Sequence, residues 1–148
     1  MTILLADAEA TEAFGRRLAA VLRVGDIVAL SGALGAGKTT LARGVLEGLG
    51  HRGEVASPSF PIVLTYAPPE LRLPLWHVDL YRIEDPAELE ELGLDEAWGE
   101  AAMLIEWPER LPDLWPETLR LTLGPAPAGG RSLTASVPPA WGARWPLR

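Results

Sequence analysis

The sequence predicts an α/β fold, and three adjoining segments carry that prediction. Residues Ile27 to Ser31 form a short apolar run of the kind that makes a buried parallel strand. A glycine-rich loop follows this run directly. Beyond the loop, Leu41, Val45 and Leu49 recur at helical spacing, and Gly50 supplies a helix stop. Strand, loop and helix in this order are typical of α/β proteins.

The flanking segments extend this pattern into one domain over residues 1–148. Asp7 or Thr11 is expected to cap a helix that runs to about Leu22, with Phe14 and Leu18 on its buried face. Residues 51–60 are expected to form a loop, and no element is predicted for the Pro- and Trp-rich residues 138–148. A hairpin is expected from strands at residues 62–66 and 75–79, and an acidic helix at residues 87–92. A buried strand is expected at residues 102–106, and an antiparallel pair of strands at residues 119–123 and 132–137.

Composition argues against several kinds of protein. The net charge of −7 disfavours a free-standing nucleic-acid binder, because phosphate backbones are held by basic surfaces. The chain has no cysteine, so disulfides and thiolate metal sites are excluded. Its start lacks the basic residues and long apolar run of a secretory signal, and no apolar stretch approaches the roughly 20 residues that span a bilayer. We therefore expect a cytoplasmic protein with no membrane contact.

The glycine-rich loop carries a specific chemistry. Residues 32–39 read Gly-Ala-Leu-Gly-Ala-Gly-Lys-Thr, which satisfies the phosphate-loop pattern of nucleoside-triphosphate-binding proteins in full. Its glycines let backbone N–H groups turn toward a phosphate at the positive end of the next helix. Lys38 is expected between the β- and γ-phosphates, and the Thr39 hydroxyl on Mg²⁺. Lys38 is the only lysine beside twelve arginines, which fits a site that needs a compact ammonium.

Two strand ends supply candidate carboxylates near this loop. Glu106 closes the apolar run 103–106, and we predict that it reaches the magnesium through water. Asp79 closes residues 75–79 and could orient the attacking water, act as general base or join the metal shell. Arg82 could contact phosphate charge or pair with Asp79 or Asp85. His77 is interpreted as a structural strand residue.

A loop and a tryptophan are further candidates. Ser57 and Ser59 follow the phosphate-loop helix, where many such proteins keep a nucleotide-sensing switch. A proline turn with local hydroxyl hydrogen bonds is the alternative. Trp107, directly after Glu106, could lie near the nucleotide, line a partner interface or belong to the core.

These residues leave several functional classes to weigh. A guanine-specific GTPase is close to excluded, because its Asn-Lys-x-Asp base-reading element is missing from a chain without asparagine. A small-molecule kinase would need a lid and a basic acceptor pocket, for which residues 53–75 offer weak support. A nucleotide-binding adaptor without hydrolysis stays open. A partner-regulated ATPase needs the loop, a metal acid, a water-positioning residue and a responsive segment, and each has a candidate here.

Four sequence blocks, taken in order, point to one family. They are residues 32–40, residues 55–60 (Val-Ala-Ser-Pro-Ser-Phe), residues 77–82 (His-Val-Asp-Leu-Tyr-Arg) and residues 104–109 (Leu-Ile-Glu-Trp-Pro-Glu). Together they resemble the TsaE (YjeE) family, the ATPase component of bacterial tRNA threonylcarbamoyladenosine biosynthesis. The resemblance covers roughly residues 3–137. Ala33 and Ser59 depart from the family's usual Asp and Thr, and neither departure removes a phosphate or metal group.

The resemblance implies a P-loop NTPase-like three-layer fold, with a central mixed β-sheet flanked by helices, and weak Mg²⁺-dependent ATP hydrolysis. It implies Lys38, Asp79 and Glu106 as catalytic residues, Thr39 and Glu106 as magnesium ligands, and residues 55–60 as a switch-like segment. It also implies TsaB- and TsaD-like partners that modify adenosine 37 of tRNA, a complex that this protein would regulate or reset, with tRNA contacted only through it. Gly130 is an alternative to Arg131 near the base, and the implied ATP contacts are Thr11, Gly35, Ala36, Gly37, Lys38, Thr39, Thr40 and Arg131.

Overall fold

The computed structural model describes residues 1–33, 35–55 and 62–147. Its strands are Thr2–Leu5 (β1), Ile27–Ser31 (β2), Val63–Tyr66 (β3), Leu75–Asp79 (β4), Ala102–Glu106 (β5), Leu119–Pro125 (β6) and Arg131–Ser136 (β7). Its α-helices are Ala8–Val21 (α1), Lys38–Gly48 (α2), Pro86–Glu91 (α3) and Leu94–Ala97 (α4). Short 3₁₀ helices span Pro108–Arg110 and Pro139–Arg144.

The seven strands form one sheet in the order β1-β7-β6-β2-β5-β4-β3. Its middle is parallel: β2 pairs with β5 and β6, and β4 pairs with β5. Its edges are antiparallel, with β3 on β4, β7 on β6 and β1 on β7. The expected mixed sheet is therefore confirmed. Because parallel strands end at the same edge, Ser31, Asp79 and Glu106 lie at one end of the molecule.

Helices cover both faces of the sheet, so the expected three layers are confirmed. Side chains alternate along each buried strand, and each central strand therefore serves two cores. Val28 and Leu104 pack beneath α1 and α2. Ile27 and Ile105 pack on the opposite face with Leu94 of α4.

The first helix lies very close to the second because glycines face its backbone. A Cβ at Gly44 would collide with the carbonyl oxygen of Glu12, and one at Gly15 with that of Leu41. The approach brings the first turn of α1 beside the loop before α2, where a Cβ at Gly37 would lie 3.8 Å from the Thr11 methyl carbon. Close helix packing thus sets one wall of the site described below.

Most predicted elements agree with the structure. Asp7 caps α1, with its Oδ1 accepting from the Ala10 N–H at 2.8 Å, and β2, β4 and β5 have the expected bounds. The hairpin of β3 and β4 and the antiparallel pair of β6 and β7 are also confirmed. β1 and α4 have no counterpart in the prediction. Residue 34 and the expected switch residues Ser57 and Ser59 lie outside the described residues.

The C-terminal residues pack onto the domain. Trp141 is fully buried in the core beneath α1 and α2, and the Arg144 guanidinium lies 3.9 Å from its ring centroid. Arg144 also donates to both carboxylate oxygens of Asp26, at 2.6 and 3.1 Å, and to the Val21 carbonyl at 2.9 Å. This segment is therefore hydrogen-bonded to residues at the end of the sheet where β2 begins, which is the end opposite to Ser31.

In the part of the chain that the structure describes, no helix combines the length and the apolar character needed to cross a membrane.

Candidate functional site

Two buried carboxylates lie side by side where β4 and β5 end. Asp79 and Glu106 are direct partners in the parallel register and are only 6% and 4% exposed. Their side chains face α2, because Leu75 and Leu104 at even spacing on the same strands belong to the core beneath that helix. The strand ends therefore hold two negative charges under the start of α2.

The glycine-rich loop closes over these carboxylates. Gly37 is the N-cap of α2 and has a φ of 107°, which side-chain-bearing residues rarely adopt. Lys38 begins the helix and is 5% exposed. Its Nζ donates to the Gly32 carbonyl at 2.7 Å and lies 3.7 Å from the ring centroid of Trp107. The loop therefore folds around its own lysine.

Burial lowers the pKa of Lys38 below its ordinary value of 10.5, because desolvation disfavours the charged ammonium. Glu106, Asp79 and Glu109 act in the opposite sense, since their negative charges favour the ammonium. Lys38 is therefore a partly desolvated cation, and an anionic ligand would stabilise its charged form further.

The loop, the carboxylates and the first turn of α1 line one cleft of about 460 Å³. Trp107 and Gly130 also line it. Ala36, which was predicted to contact ATP, does not line the cleft. Its backbone N–H donates to the Ala33 carbonyl at 3.0 Å. The cleft brings together nearly all residues predicted for nucleotide, metal or catalysis, namely Thr11, Gly35, Gly37, Lys38, Thr39, Thr40, Asp79, Glu106 and Arg131.

Arg131, at the start of β7, clamps the loop from its outer side. Its Nη2 donates to the Gly35 carbonyl and its Nε to the Ala36 carbonyl, each at 3.0 Å. Its Nη1 donates to the Gly130 carbonyl at 3.0 Å. The guanidinium thus positions the loop and adds a positive charge at the mouth of the cleft.

Trp107 lines the cleft and is also packed, half-buried, against the core that contains Ile105. It has a φ of 59°, which is uncommon for a residue with a large side chain and directs the chain sharply after β5. Its ring lies over Lys38 and 4.8 Å from the ring of Tyr81. The Tyr81 N–H in turn donates to Asp79 Oδ1 at 2.9 Å. Arg82, the next residue, is exposed.

One buried contact was missed by the sequence interpretation. His77 is fully buried, and its Nε2 lies 2.7 Å from Oε2 of Glu106. The alternation of strand side chains could have indicated this contact, because His77 shares a face with Asp79 and Asp79 neighbours Glu106. The sequence pattern does not indicate that His77 Nε2 and Glu106 Oε2 come within hydrogen-bond distance.

The oxygen groups of the cleft suit a hard divalent cation. Asp79 and Glu106 supply carboxylates and Thr39 a hydroxyl, which are ligands that Mg²⁺ prefers. Among the described residues, no group of three or more His, Asp or Glu side chains could hold a metal on its own. A Mg²⁺ ion here would therefore need further oxygens from water and from a bound ligand.

The sheet order, with a glycine loop between β2 and α2, places the chain in the class of α/β proteins with a P-loop-like fold. Comparison with known families narrows this class. The family model described as "Threonylcarbamoyl adenosine biosynthesis protein TsaE" matches residues 5–132, and the chain belongs to this family.

Individual relatives agree with the family match. The chain is 48% identical to the tRNA threonylcarbamoyladenosine biosynthesis protein TsaE of Streptomyces coelicolor, over 74% of this chain and 75% of the relative. It is 41% identical to the protein of that name from Bacillus subtilis, over 85% of this chain and 78% of the relative. The crystal structure of Bacillus subtilis YdiB superposes with a TM-score of 0.74 at 32% identity, covering 93% of this chain and 84% of that one. These findings confirm the family resemblance and the P-loop-like fold.

Proposed function

We propose that this chain is a weak, Mg²⁺-dependent ATPase that acts with partner proteins in tRNA threonylcarbamoyladenosine biosynthesis. One observation carries the proposal: in a TsaE-family chain, Lys38, Thr39, Asp79 and Glu106 line the same cleft beneath a glycine-rich loop. The relatives' names supply the pathway, since each is named for this biosynthesis.

The positive groups of the cleft account for triphosphate binding. Lys38 Nζ exchanges the Gly32 carbonyl for phosphate oxygens, which carry more negative charge. The start of α2 adds its unpaired N–H groups and dipole. Arg131 holds the loop in place and contributes charge at the mouth. ATP is proposed over GTP because the sequence resemblance implies ATP hydrolysis and because the chain has no asparagine for an element that reads guanine.

The oxygen groups of the cleft account for metal binding and hydrolysis. Thr39 and Glu106 would hold Mg²⁺, which supplies charge neutralisation at the phosphates. Asp79 is fixed by the Tyr81 N–H on one carboxylate oxygen. The Asp79 carboxylate orients a water molecule and accepts its proton as the water oxygen bonds to the γ-phosphorus and the bond from that phosphorus to the β–γ bridging oxygen breaks, which releases ADP.

The proposed ATP hydrolysis acts on a complex of partner proteins. We propose that TsaB- and TsaD-like proteins form the complex that modifies tRNA, and that ATP turnover by this chain in the cytoplasm resets it. The net charge of −7 supports a role in which tRNA is held by the complex and not by this chain.

Phosphate release tests the proposal directly. We would mix the chain with the candidate partners, tRNA, threonine, bicarbonate, Mg²⁺ and γ-labelled ATP. Lys38→Ala and Glu106→Ala should each slow phosphate release by roughly a hundredfold, the usual cost of losing one transition-state contact. Glu100→Ala, an exposed position at the other end of β5, is the matched control and should release phosphate normally. Unchanged release by both cleft variants would contradict the proposal.

The same mixture separates the alternative classes. Label on a small acceptor, without any partner protein, would identify a kinase. Tight binding with no release in any mixture would identify a non-hydrolysing adaptor. Asp79→Asn should keep ATP affinity within a few-fold and slow hydrolysis, as the ATPase assignment requires.

A further inference from the structure

His77 is a fully buried polar residue that the proposed reaction leaves without a role. It lies on β4 two residues before Asp79, on the same face of the sheet, and it reaches Glu106 diagonally across the parallel pair. It is absent from the lining of the cleft, so it does not touch a ligand bound there. Any effect on the site must pass through the Glu106 carboxylate.

We propose that His77 is a positioning residue that fixes Glu106 and thereby sets the affinity of the nucleotide-bound protein for Mg²⁺. The inference rests on the proposed function and deepens it. His77 Nε2 holds Oε2 of Glu106 toward the sheet at 2.7 Å, while Glu106 also lines the cleft. One carboxylate oxygen is therefore anchored and the other is directed to the cation site.

The anchoring matters because a glutamate is a flexible ligand. Fixing its rotamers costs side-chain entropy. In this protein the hydrogen bond to a buried ring already restricts the Glu106 side chain before any ligand binds. Mg²⁺ requires near-ideal octahedral geometry, so a carboxylate that is already oriented binds it better than a mobile one.

The surroundings of the ring also suit this role. Nδ1 of His77 has no hydrogen-bond partner among the described residues, whereas Nε2 lies 2.7 Å from Oε2 of Glu106. Within the described residues, the ring of His77 therefore holds the Glu106 carboxylate and no other group.

The test is the gain in nucleotide affinity that Mg²⁺ produces. The dissociation constant of a non-hydrolysable ATP analogue is measured by calorimetry in Mg²⁺ and in EDTA. His77→Phe keeps the ring volume and removes the donor; it should lower the Mg²⁺-dependent gain by about 10–100-fold, or abolish a smaller gain. Its affinity in EDTA should stay within about twofold of the parent.

Three further variants separate positioning from packing. The Gln amide nitrogen reaches about as far as Nε2, so His77→Gln should keep most of the gain, whereas the shorter His77→Asn should lose it. This pair keeps the test valid if His77→Phe does not fold. Leu75→Val removes one methylene from the same face of the same strand without approaching Glu106, and it should keep the gain.

These measurements test both the role of His77 and the proposed binding of nucleotide. A full Mg²⁺ gain in His77→Phe or His77→Asn would overturn the inference, as would equal losses in Mg²⁺ and EDTA or an equal loss in Leu75→Val. If the parent protein binds no nucleotide in either buffer, the proposed function itself fails and the inference falls with it.

Discussion

Lys38 interacts with most of the charged and polar groups of the cleft. Its ammonium contacts the Gly32 carbonyl and the Trp107 ring, with Asp79 and Glu106 near enough to favour its charge. Desolvation is nevertheless the larger influence, and the pKa is lowered. A triphosphate would reverse that balance, because it brings more negative charge than the carbonyl it replaces.

The first prediction follows from the lowered pKa of Lys38. Nucleotide affinity requires the charged ammonium, so it should be full while Lys38 is protonated and should fall as pH rises through a value below 10.5. Titration calorimetry between about pH 7 and pH 11.5, a range that extends past the ordinary pKa of lysine, measures the midpoint. Lys38→Met should bind weakly with no such step. A midpoint at or above 10.5, or the same step in Lys38→Met, would contradict this account.

Arg131 gives a second residue-scale prediction. Arg131→Met removes two hydrogen bonds to carbonyls of the glycine-rich loop, one to the Gly130 carbonyl, and one positive charge. Because charge-assisted hydrogen bonds contribute about 1.5–3 kcal/mol, ATP affinity should fall by roughly 10–100-fold. Arg120→Met, an exposed change on the neighbouring β6, is the control and should leave affinity unchanged. Equal affinities for the two variants would show that the clamp is unimportant.

At the scale of elements, sequence patterns predicted the strands whose burial is strongest. β2 and β5 are almost entirely buried, so their apolar runs mark both ends clearly. β1 was missed because it is an edge strand in which only Leu5 is buried, and its four residues leave no clear alternation. α4 was missed because a single turn after Gly93 is too short to show helical periodicity.

The candidate site was predictable to the extent that it follows from local motifs. The phosphate-loop pattern located Lys38 and Thr39, and apolar runs ending in acids located Asp79 and Glu106. Contacts between distant segments could not be derived in this way. The hydrogen bonds of Arg131 to the loop join residues almost a hundred positions apart, and the His77–Glu106 contact depends on strand register.

The packing of α1 on α2 yields a prediction for an element. Gly44→Ala places a methyl group against the Glu12 carbonyl, so the helices must separate. Such overpacking costs about 1–3 kcal/mol of stability, which corresponds to a drop of roughly 2–10 °C in melting temperature. The higher helix propensity of alanine offsets part of this loss. Gly142→Ala has open space around its new methyl and should melt like the parent. A melting temperature for Gly44→Ala equal to that of Gly142→Ala would contradict the close packing.

At the scale of the whole molecule, the cleft and the hydrogen bonds that hold the C-terminal segment lie at opposite ends of the sheet. The cleft occupies the end where β2, β4 and β5 finish. The C-terminal segment is fastened at the other end, through Asp26 just before β2 and Val21 at the end of α1. Changes to that segment should therefore alter stability without altering the cleft.

Trp141→Ala tests this separation. Removing a fully buried tryptophan costs about 3–5 kcal/mol, so the melting temperature should fall by roughly 6–20 °C. ATP affinity, measured well below the transition, should stay within about twofold of the parent. Trp98→Ala, a substitution at a 42% exposed tryptophan, is the control and should cost far less stability. Loss of affinity in Trp141→Ala at a temperature where it is folded would contradict the separation.

The proposed function requires the cleft to hydrolyse ATP so that a tRNA-modifying complex can act repeatedly. The most direct measurement counts modified adenosines per complex, with limiting TsaB- and TsaD-like partners and excess tRNA, threonine, bicarbonate and ATP. With the parent chain, modified tRNA should exceed the amount of complex several-fold. With Lys38→Ala or Glu106→Ala it should fall to the level seen without this chain. Equal multiple turnover with either variant would contradict the claim.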